Sequence, residues 1–393
     1  MSRHAAFAAL ASILTVGCVG VDLNSVRHLA PGKHAWTKVL APSWHSALVL
    51  GTDRTYNPFE GSTPAADPDR GRIYVGTSTG RFYALRSEDG ARLWTFDTKE
   101  AIHSTPVLSA DREVVYFGNE AGWLYALDAD TGEKIWSYEA TAEIRCRPLL
   151  HKQILLLRDV RGKVHAVDSQ KGSGLWLYRG ELPEGHLIGS SAGVGLASGR
   201  VLAGFSDGTA LGLKLLDGSV SWTADLSEFL PGDAITGDEK LDVNTTPVVI
   251  DAEHVVFSSF RGGLFSLDPR SGSILWRRSD VPRTSGLALQ GGRIYVAMAS
   301  KGVMALDTDG RTIWRSHFSS GTISDPMPHG SRLYMTDSKF GLIVLSRSTG
   351  QVLDRFTPAW GASASPLVRA GRAFFVSNGG HLYAFHLKDA KKP

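Results

Sequence analysis

Cysteine is nearly absent from the chain. Its 393 residues include two, Cys18 and Cys146, too few for a disulfide framework, a paired zinc site or a haem-attachment motif. Long apolar runs are missing too. The run from Ala5 to Val16 has twelve residues, too short to cross a bilayer as a helix. No charge of one sign dominates: 42 Lys and Arg are mixed with 39 Asp and Glu, for a net charge of +3. The only basic cluster is the short tail Lys388 to Lys392, which argues against a nucleic-acid partner. There is no phosphate-binding loop. The 13 histidines are scattered. His381 and His386 lie five apart on one strand, face opposite sides and cannot share a metal. His165 reads as a packing residue. Cys146 stands between Arg145 and Arg147, which can lower a thiol pKa, but a lone thiol reads first as a small buried group.

Glycine is plentiful, 43 against 17 prolines, which suits a chain of many tight turns. Apolar residues make up 42 %, enough for a large core. The first residues, MSRHAAFAALASILTVGC, put Arg3 and His4 before the apolar run and small Gly17 before Cys18, the layout of a secretory signal. Thr15-Val16-Gly17-Cys18 resembles a bacterial lipoprotein cleavage box, with Thr15 where leucine is usual. The resemblance implies that Cys18 is lipidated, and Val19 in place of an aspartate implies retention at the outer membrane. Residues 1–17 are then a signal peptide and 18–35 a lipidated tether. A flexible segment of that length reaches roughly 20–25 Å.

From there the chain repeats. Leu85, Leu127, Val167, Leu213, Leu267, Leu306, Leu345 and Phe385 recur at steps of 42, 40, 46, 54, 39, 39 and 40. Each of the eight units has a strand, a glycine turn (Gly80, Gly122, Gly162, Gly208, Gly262, Gly302, Gly341, Gly380), an alternating strand, an Asp-x-x-x-Gly-type turn and a strand with a tryptophan. Alternation at period two marks half-buried strands. Aspartates suit the turns by bonding backbone two residues on. Trp94, Trp136, Trp176, Trp222, Trp276 and Trp314 read as mortar between units. A buried indole removes roughly 150–250 Å² from water, worth up to about 4–6 kcal/mol by area. The seventh unit has Asp354 instead. Prolines 64, 106, 148, 247, 326 and 366 mark the innermost strands beside a central channel. Four strands per unit and eight units predict an all-β, eight-bladed β-propeller with four-stranded antiparallel blades over residues 36–387, followed by a basic tail, 388–393. The last unit lacks its tryptophan strand, and the chain start supplies one: His34 to Leu40, with Trp36 filling the vacancy and closing the ring. The alternative is a seven-bladed ring with a spare segment. Arg147 and Asp325 are expected to face the channel, where they can hold a small ligand.

The pattern G-x-L-Y-A-L-D-x-x-T-G-x-x-x-W resembles the repeats named after pyrroloquinoline quinone enzymes, over residues 61–387. More particularly, Leu241-Asp242-Val243-Asn244-Thr245-Thr246-Pro247-Val248-Val249 and Gly263 to Gly272 resemble the BamB family, lipoprotein propellers of the outer-membrane β-barrel assembly machinery. That resemblance implies a non-enzymatic scaffold without cofactor or metal. Its loop surface would dock on the periplasmic domains of a BamA-like barrel subunit and serve unfolded outer-membrane clients. The docking residues it implies are Asp242, Asn244 (where the family has a second aspartate), Leu187 and Ile188 (where it has an arginine). Ser227 to Lys240 is the longest insertion, and Phe229 and Leu230 are expected as interface anchors on it. Two other classes stay open: a quinone-dependent oxidoreductase on the same fold, although its adjacent cysteines are missing here, and a propeller lipoprotein recruiting another envelope partner.

Overall fold

In the computed structural model, residues 39–49, 59–180, 191–226, 243, 245–259, 262–281, 283–318 and 321–388 are described. Cys18, Trp36, Leu187, Ile188, Phe229, Leu230, Asp242 and Asn244 lie outside them, as do the signal peptide, the tether and all of the tail except Lys388. The described residues form eight four-stranded antiparallel sheets and no helix. In each sheet the strands, named a to d, run outward from the channel. Blade 1 consists of Ala65–Asp67, Arg72–Gly76, Arg81–Arg86 and Arg92–Asp97. Blades 2 to 7 span residues 107–139, 149–178, 195–225, 248–278, 284–316 and 327–356. Blade 8 takes Leu367–Arg369, Arg372–Val376 and His381–Leu387 from the chain end and its outermost strand, Leu40–Ala47, from the chain start. Neighbouring a strands touch at the seams from blade 4 round through blade 8 to blade 2. Eight clusters of buried apolar side chains fill the wedges between sheets.

One device recurs at the seams. A d-strand tryptophan lies on the glycine of the next blade's c–d turn, and its Nε1 donates to a carbonyl of that turn. Trp94 donates to Ala129 O (3.2 Å), Trp136 to Ser169 O (3.1 Å), Trp176 to Leu215 O (2.9 Å) and Trp222 to Pro269 O (2.9 Å). Trp276 donates to Thr308 O (3.0 Å) and Trp314 to Arg347 O (3.0 Å). The residue paired with the indole on strand c is small: Ala84, Ala126, Ala166, Gly212, Ser266 and Ala305. That is the physical reason for the alanine in the Leu-Tyr-Ala-Leu motif. Glycine is required in the turn for two reasons. Gly272 has φ +76°, and a Cβ there would come within 2.5 Å of the Trp222 ring. Gly272→Ala is therefore expected to cost about 2 kcal/mol, through left-handed backbone strain and overpacking, as read by urea denaturation.

The closing strand corrects one expectation. The seam position predicted for Trp36 is held by Trp44, which donates to Ser87 O (3.1 Å), pairs with Ala384 and lies over Gly90. The closing strand is Leu40–Ala47 rather than His34 to Leu40, because its register with His381–Leu387 sets Trp44, not Trp36, opposite the alanine. The structure also explains Asp354. In blade 8, strands c and d come from opposite chain ends, so there is no c–d turn for a tryptophan of blade 7 to cover. Asp354 Oδ2 instead accepts from Val39 N (2.8 Å) and Leu40 N (2.9 Å), fixing the point where the first strand enters. In blade 5 the glycine with positive φ is Gly263, one place after the Gly262 of the repeat reading.

Candidate functional site

The two rims of the ring differ. One carries the short a–b and c–d turns. The other, the loop face, carries the b–c hairpins and the d–a connections, which run from one blade to the next. Three of the connections are pinned in the same way at one aliphatic residue. Ile102 N donates to Thr77 O (2.9 Å), Ile144 N to Asn119 O (3.0 Å) and Val243 N to Phe205 O (3.0 Å). Their side chains fill the space beside Gly76, Gly118 and Gly204, where a Cβ would lie 2.1–2.2 Å from them. The long insertion between blades 4 and 5 thus returns to the scaffold at a fixed point, Val243, which is fully buried. Thr245, two residues on, shares a 2.7 Å hydrogen bond with Ser258.

A polar network crosses the loop face from blade 8 to blade 3. Glu60 is 2 % exposed. Its backbone N–H donates to Asn378 of blade 8, and its carboxylate accepts from Ser78 N (2.8 Å) and Ser78 Oγ (2.6 Å) of blade 1. Burial raises this carboxyl to about 7, against the opposing pull of the two Ser78 bonds. Next to it, His103 Nδ1 accepts from Gly61 N (3.2 Å), and Nε2 faces Glu120 at 3.5 Å. Burial first, then the charge of Arg145, lowers the imidazole to about 4, so it is neutral at pH 7. Arg145 bridges Glu120 (2.8 Å) and Glu143 (2.9 Å). These partners come from different blades, and the sequence reading missed them.

The channel mouth is a ring of the residues that precede the a strands. Hydroxyl side chains supply most of it: Thr63, Thr105, Thr246 and Ser365, with Ser285 at the start of the a strand of blade 6. Arg147 of blade 3 and Asp325 of blade 7 break the pattern, four blades apart and so on opposite sides. Both are exposed. Arg147 has no hydrogen-bond or ion-pair partner among the described residues. The protein crowded around it lowers its pKa. Asp325 Oδ1 accepts from Leu287 N (3.2 Å), and the surrounding protein raises its carboxyl to about 6. A cavity of about 250 Å³ runs below Arg147, between the a strands of blades 1, 2, 7 and 8. A quinone–calcium centre needs converging carboxylate and amide donors. Among the described residues no group of three or more His, Cys, Asp or Glu side chains converges.

Two other side chains of the sequence reading are placed. Cys146 is fully buried, and burial pushes its thiol up to about 11. The arginines beside it do not activate it: Arg145 turns to its glutamates and Arg147 to the channel. His165 is buried between Tyr138 Oη (3.1 Å) of blade 2 and Asp159 Oδ2 (3.3 Å) of blade 3, a closed network across that seam.

Comparison with known proteins gives a consistent picture. The family model described as "Outer membrane protein assembly factor BamB" matches residues 23–176, 108–308 and 308–392. A protein of that name from Yersinia pestis is 26 % identical over 243 residues, 61 % of this chain and 60 % of the relative. One from Salmonella typhimurium is 29 % identical over 208 residues, 52 % of each. The chain thus spans little more than half the length of these two relatives. One from Pseudomonas aeruginosa is 29 % identical over 392 residues, 98 % of this chain and 99 % of the relative. Among solved structures, BamB from Moraxella catarrhalis superposes with a TM-score of 0.74 at 20 % identity, covering 89 % of this chain and 100 % of that one. A quinohemoprotein alcohol dehydrogenase from Comamonas testosteroni gives 0.67 at 15 %, covering 91 % and 78 %. At such identities the likeness is one of fold.

Proposed function

Because this chain belongs to the BamB family of outer membrane protein assembly factors, we propose that it is a non-enzymatic scaffold at the periplasmic face of the outer membrane. It is anchored by lipid on Cys18 and assists insertion of β-barrel proteins by docking on a BamA-like central barrel subunit. The observation that carries this reading is the family match along residues 23–392. The fold is compatible with it. The stapled ring is a rigid disc, and its loop face offers connections pinned at one end and free to vary beyond the pin. The docking residues of this reading are Asp242 and Asn244, which flank the pinned Val243 in the sequence, together with Leu187, Ile188, Phe229 and Leu230 of the connections between blades 3 and 5. Unfolded barrel proteins pass as clients, and neither nucleic acid nor a cofactor takes part.

The test is binding between the full mature chain and the purified periplasmic domains of the barrel subunit from the same cell. Asp242→Arg is expected to weaken the complex at least tenfold with no change in thermal midpoint, and Cys18→Ser to release the protein from outer-membrane fractions. Equal binding by the Asp242 variant removes that docking surface. No binding by the parent chain removes the partner.

A further inference from the structure

We propose that the turn face between blades 3 and 4 is a docking groove for an extended, acidic segment of a partner protein that presents an aliphatic or aromatic side chain. This surface lies on the rim opposite the d–a connections, and the inference does not rest on the barrel-subunit reading.

Two features coincide at this seam. At the second position after the end of strand c (the third in blade 5), the other c–d turns carry Glu88, Asp130, Gln170, Arg270, Asp309 and Ser348. Blade 4 carries Leu216, 90 % exposed, the most exposed of the large apolar side chains in the described chain. The second feature is on blade 3. Blades 1, 6 and 8 begin strand b with Arg72, Arg293 and Arg372, whose guanidiniums reach across to turn carbonyls of the next blade, Ala129, Arg347 and Ser87. Blade 3 begins strand b with Ile154, as blades 2 and 5 do with Val114 and Val255, so no arm spans the gap toward Leu215 and Leu216; at blades 2 and 5 the facing turn residues are the polar Gln170 and Asp309. The result is an open groove of about 740 Å³. Its floor is Ile154, Leu175, Trp176, Leu215 and Leu216, and its rim is His151, Lys152, Arg200 and Lys214. An exposed apolar floor with a polar rim marks an interaction site.

Charge selects the occupant. On this rim the turns of blade 3 carry Lys152 and Lys171 and one carboxylate, Asp168, which accepts from Gln170 N and Lys171 N in its own turn. Lys152 and Lys214 form no salt bridge within the described residues. On the blade 4 side, Asp217 has Lys214 in its field, and its Oδ1 accepts from Ser219. The rim therefore keeps cationic groups free for carboxylates from outside. The extended form of the occupant follows from the edge alongside. Strand d of blade 3, Gly174–Tyr178, reads GLWLY, pairs on one side only, and carries no charged side chain. The d strands of blades 1, 2, 4, 5, 6 and 7 each carry at least one Asp, Glu, Lys or Arg, the usual guard on an open edge. Without that guard the edge is free to receive a strand, while the groove takes an apolar side chain.

The experiment uses the purified mature chain and a fluorescein-labelled peptide, Asp-Glu-Leu-Thr-Phe-Thr-Asp-Glu, with a control in which each acid is replaced by lysine. Fluorescence anisotropy is expected to show saturable binding of the acidic peptide, at least tenfold tighter than the control and weakened by 0.5 M salt. Leu216→Ser, at an exposed turn position, and the double change Lys152→Glu with Lys214→Glu are each expected to weaken it at least tenfold. Both variants are expected to keep the parent thermal midpoint. If one variant fails to fold, the other decides. The proposal is overturned if neither peptide binds, if the lysine peptide binds as well, or if both variants bind like the parent. It is also overturned if sedimentation shows a dimer that Leu216→Ser dissolves, since the groove would then hold a second copy of the chain.

Discussion

Trp44→Ala is expected to lower the unfolding free energy by about 3 kcal/mol, whereas Trp36→Ala leaves it unchanged. Trp44 is only partly buried, so the loss lies at the lower end for a large aromatic. It also removes the hydrogen bond to Ser87 O (3.1 Å) and the contacts with Gly90 and with Phe374, whose ring centroid is 6.0 Å away. The effect is larger than its area suggests because this seam is the only one at which a blade is completed by the other end of the chain. Each of the other d strands stays tethered to its own c strand by a c–d turn. The first strand has no such turn, so its docking must offset the entropy of joining the two chain ends. Chemical denaturation of the two variants beside the parent measures the difference.

Glu60→Gln is expected to stabilise the protein at pH 8 by about 2–3 kcal/mol and to leave it nearly unchanged at pH 4. Burial raises the folded-state carboxyl from 4.5 to about 7. A raised acid favours the protonated form, so its contribution is fully present below pH 4.5 and is lost as pH rises through 7. Each unit of such a shift is worth about 1.4 kcal/mol, and glutamine keeps an oxygen for Ser78 while never ionising. His103 works in the other direction. Its folded-state value is lowered from 6.5 to about 4, so its contribution is present above pH 6.5 and is lost as pH falls to 4. In the parent chain the two slopes oppose each other between about pH 4.5 and 6.5. The glutamine substitution removes the Glu60 slope, so over that window the variant's stability should rise with pH relative to the parent's. Urea denaturation at pH 4, 6 and 8 separates the two.

The fold was legible in the sequence because a propeller writes its period into the chain. Every blade must cover its neighbour with the same indole on the same glycine, so Trp94 to Trp314 and the turn glycines could be found by spacing alone. The closing strand was misassigned for a physical reason. Its position depends on pairing with a segment more than three hundred residues away, and Trp36 and Trp44 both sit in stretches that locally suit a strand. Register, set by Ala384 opposite Trp44, decides between them. The missing tryptophan at Asp354 was visible, but its cause, a blade without a c–d turn, appears only once the ring is closed. In the channel, Arg147 and Asp325 were legible because they interrupt a run of hydroxyl residues before proline. Glu60 with Ser78, and His103 with Glu120 and Arg145, were not, since each contact joins different loops and no local pattern encodes it. Leu216 was within reach of the sequence: aligning the c–d turns sets it as a leucine among polar residues.

Hydrogen exchange along the first strand tests the central claim, a ring closed by Leu40–Ala47 on His381–Leu387. Closure predicts that the paired amides of the first strand are protected as strongly as those of Arg372–Val376, the inner neighbour of His381–Leu387. It also predicts that Trp44→Ala lowers protection in this blade before any other. Rapid exchange throughout Leu40–Ala47 while the remaining blades stay protected would contradict it, and would leave a ring whose last blade stands open.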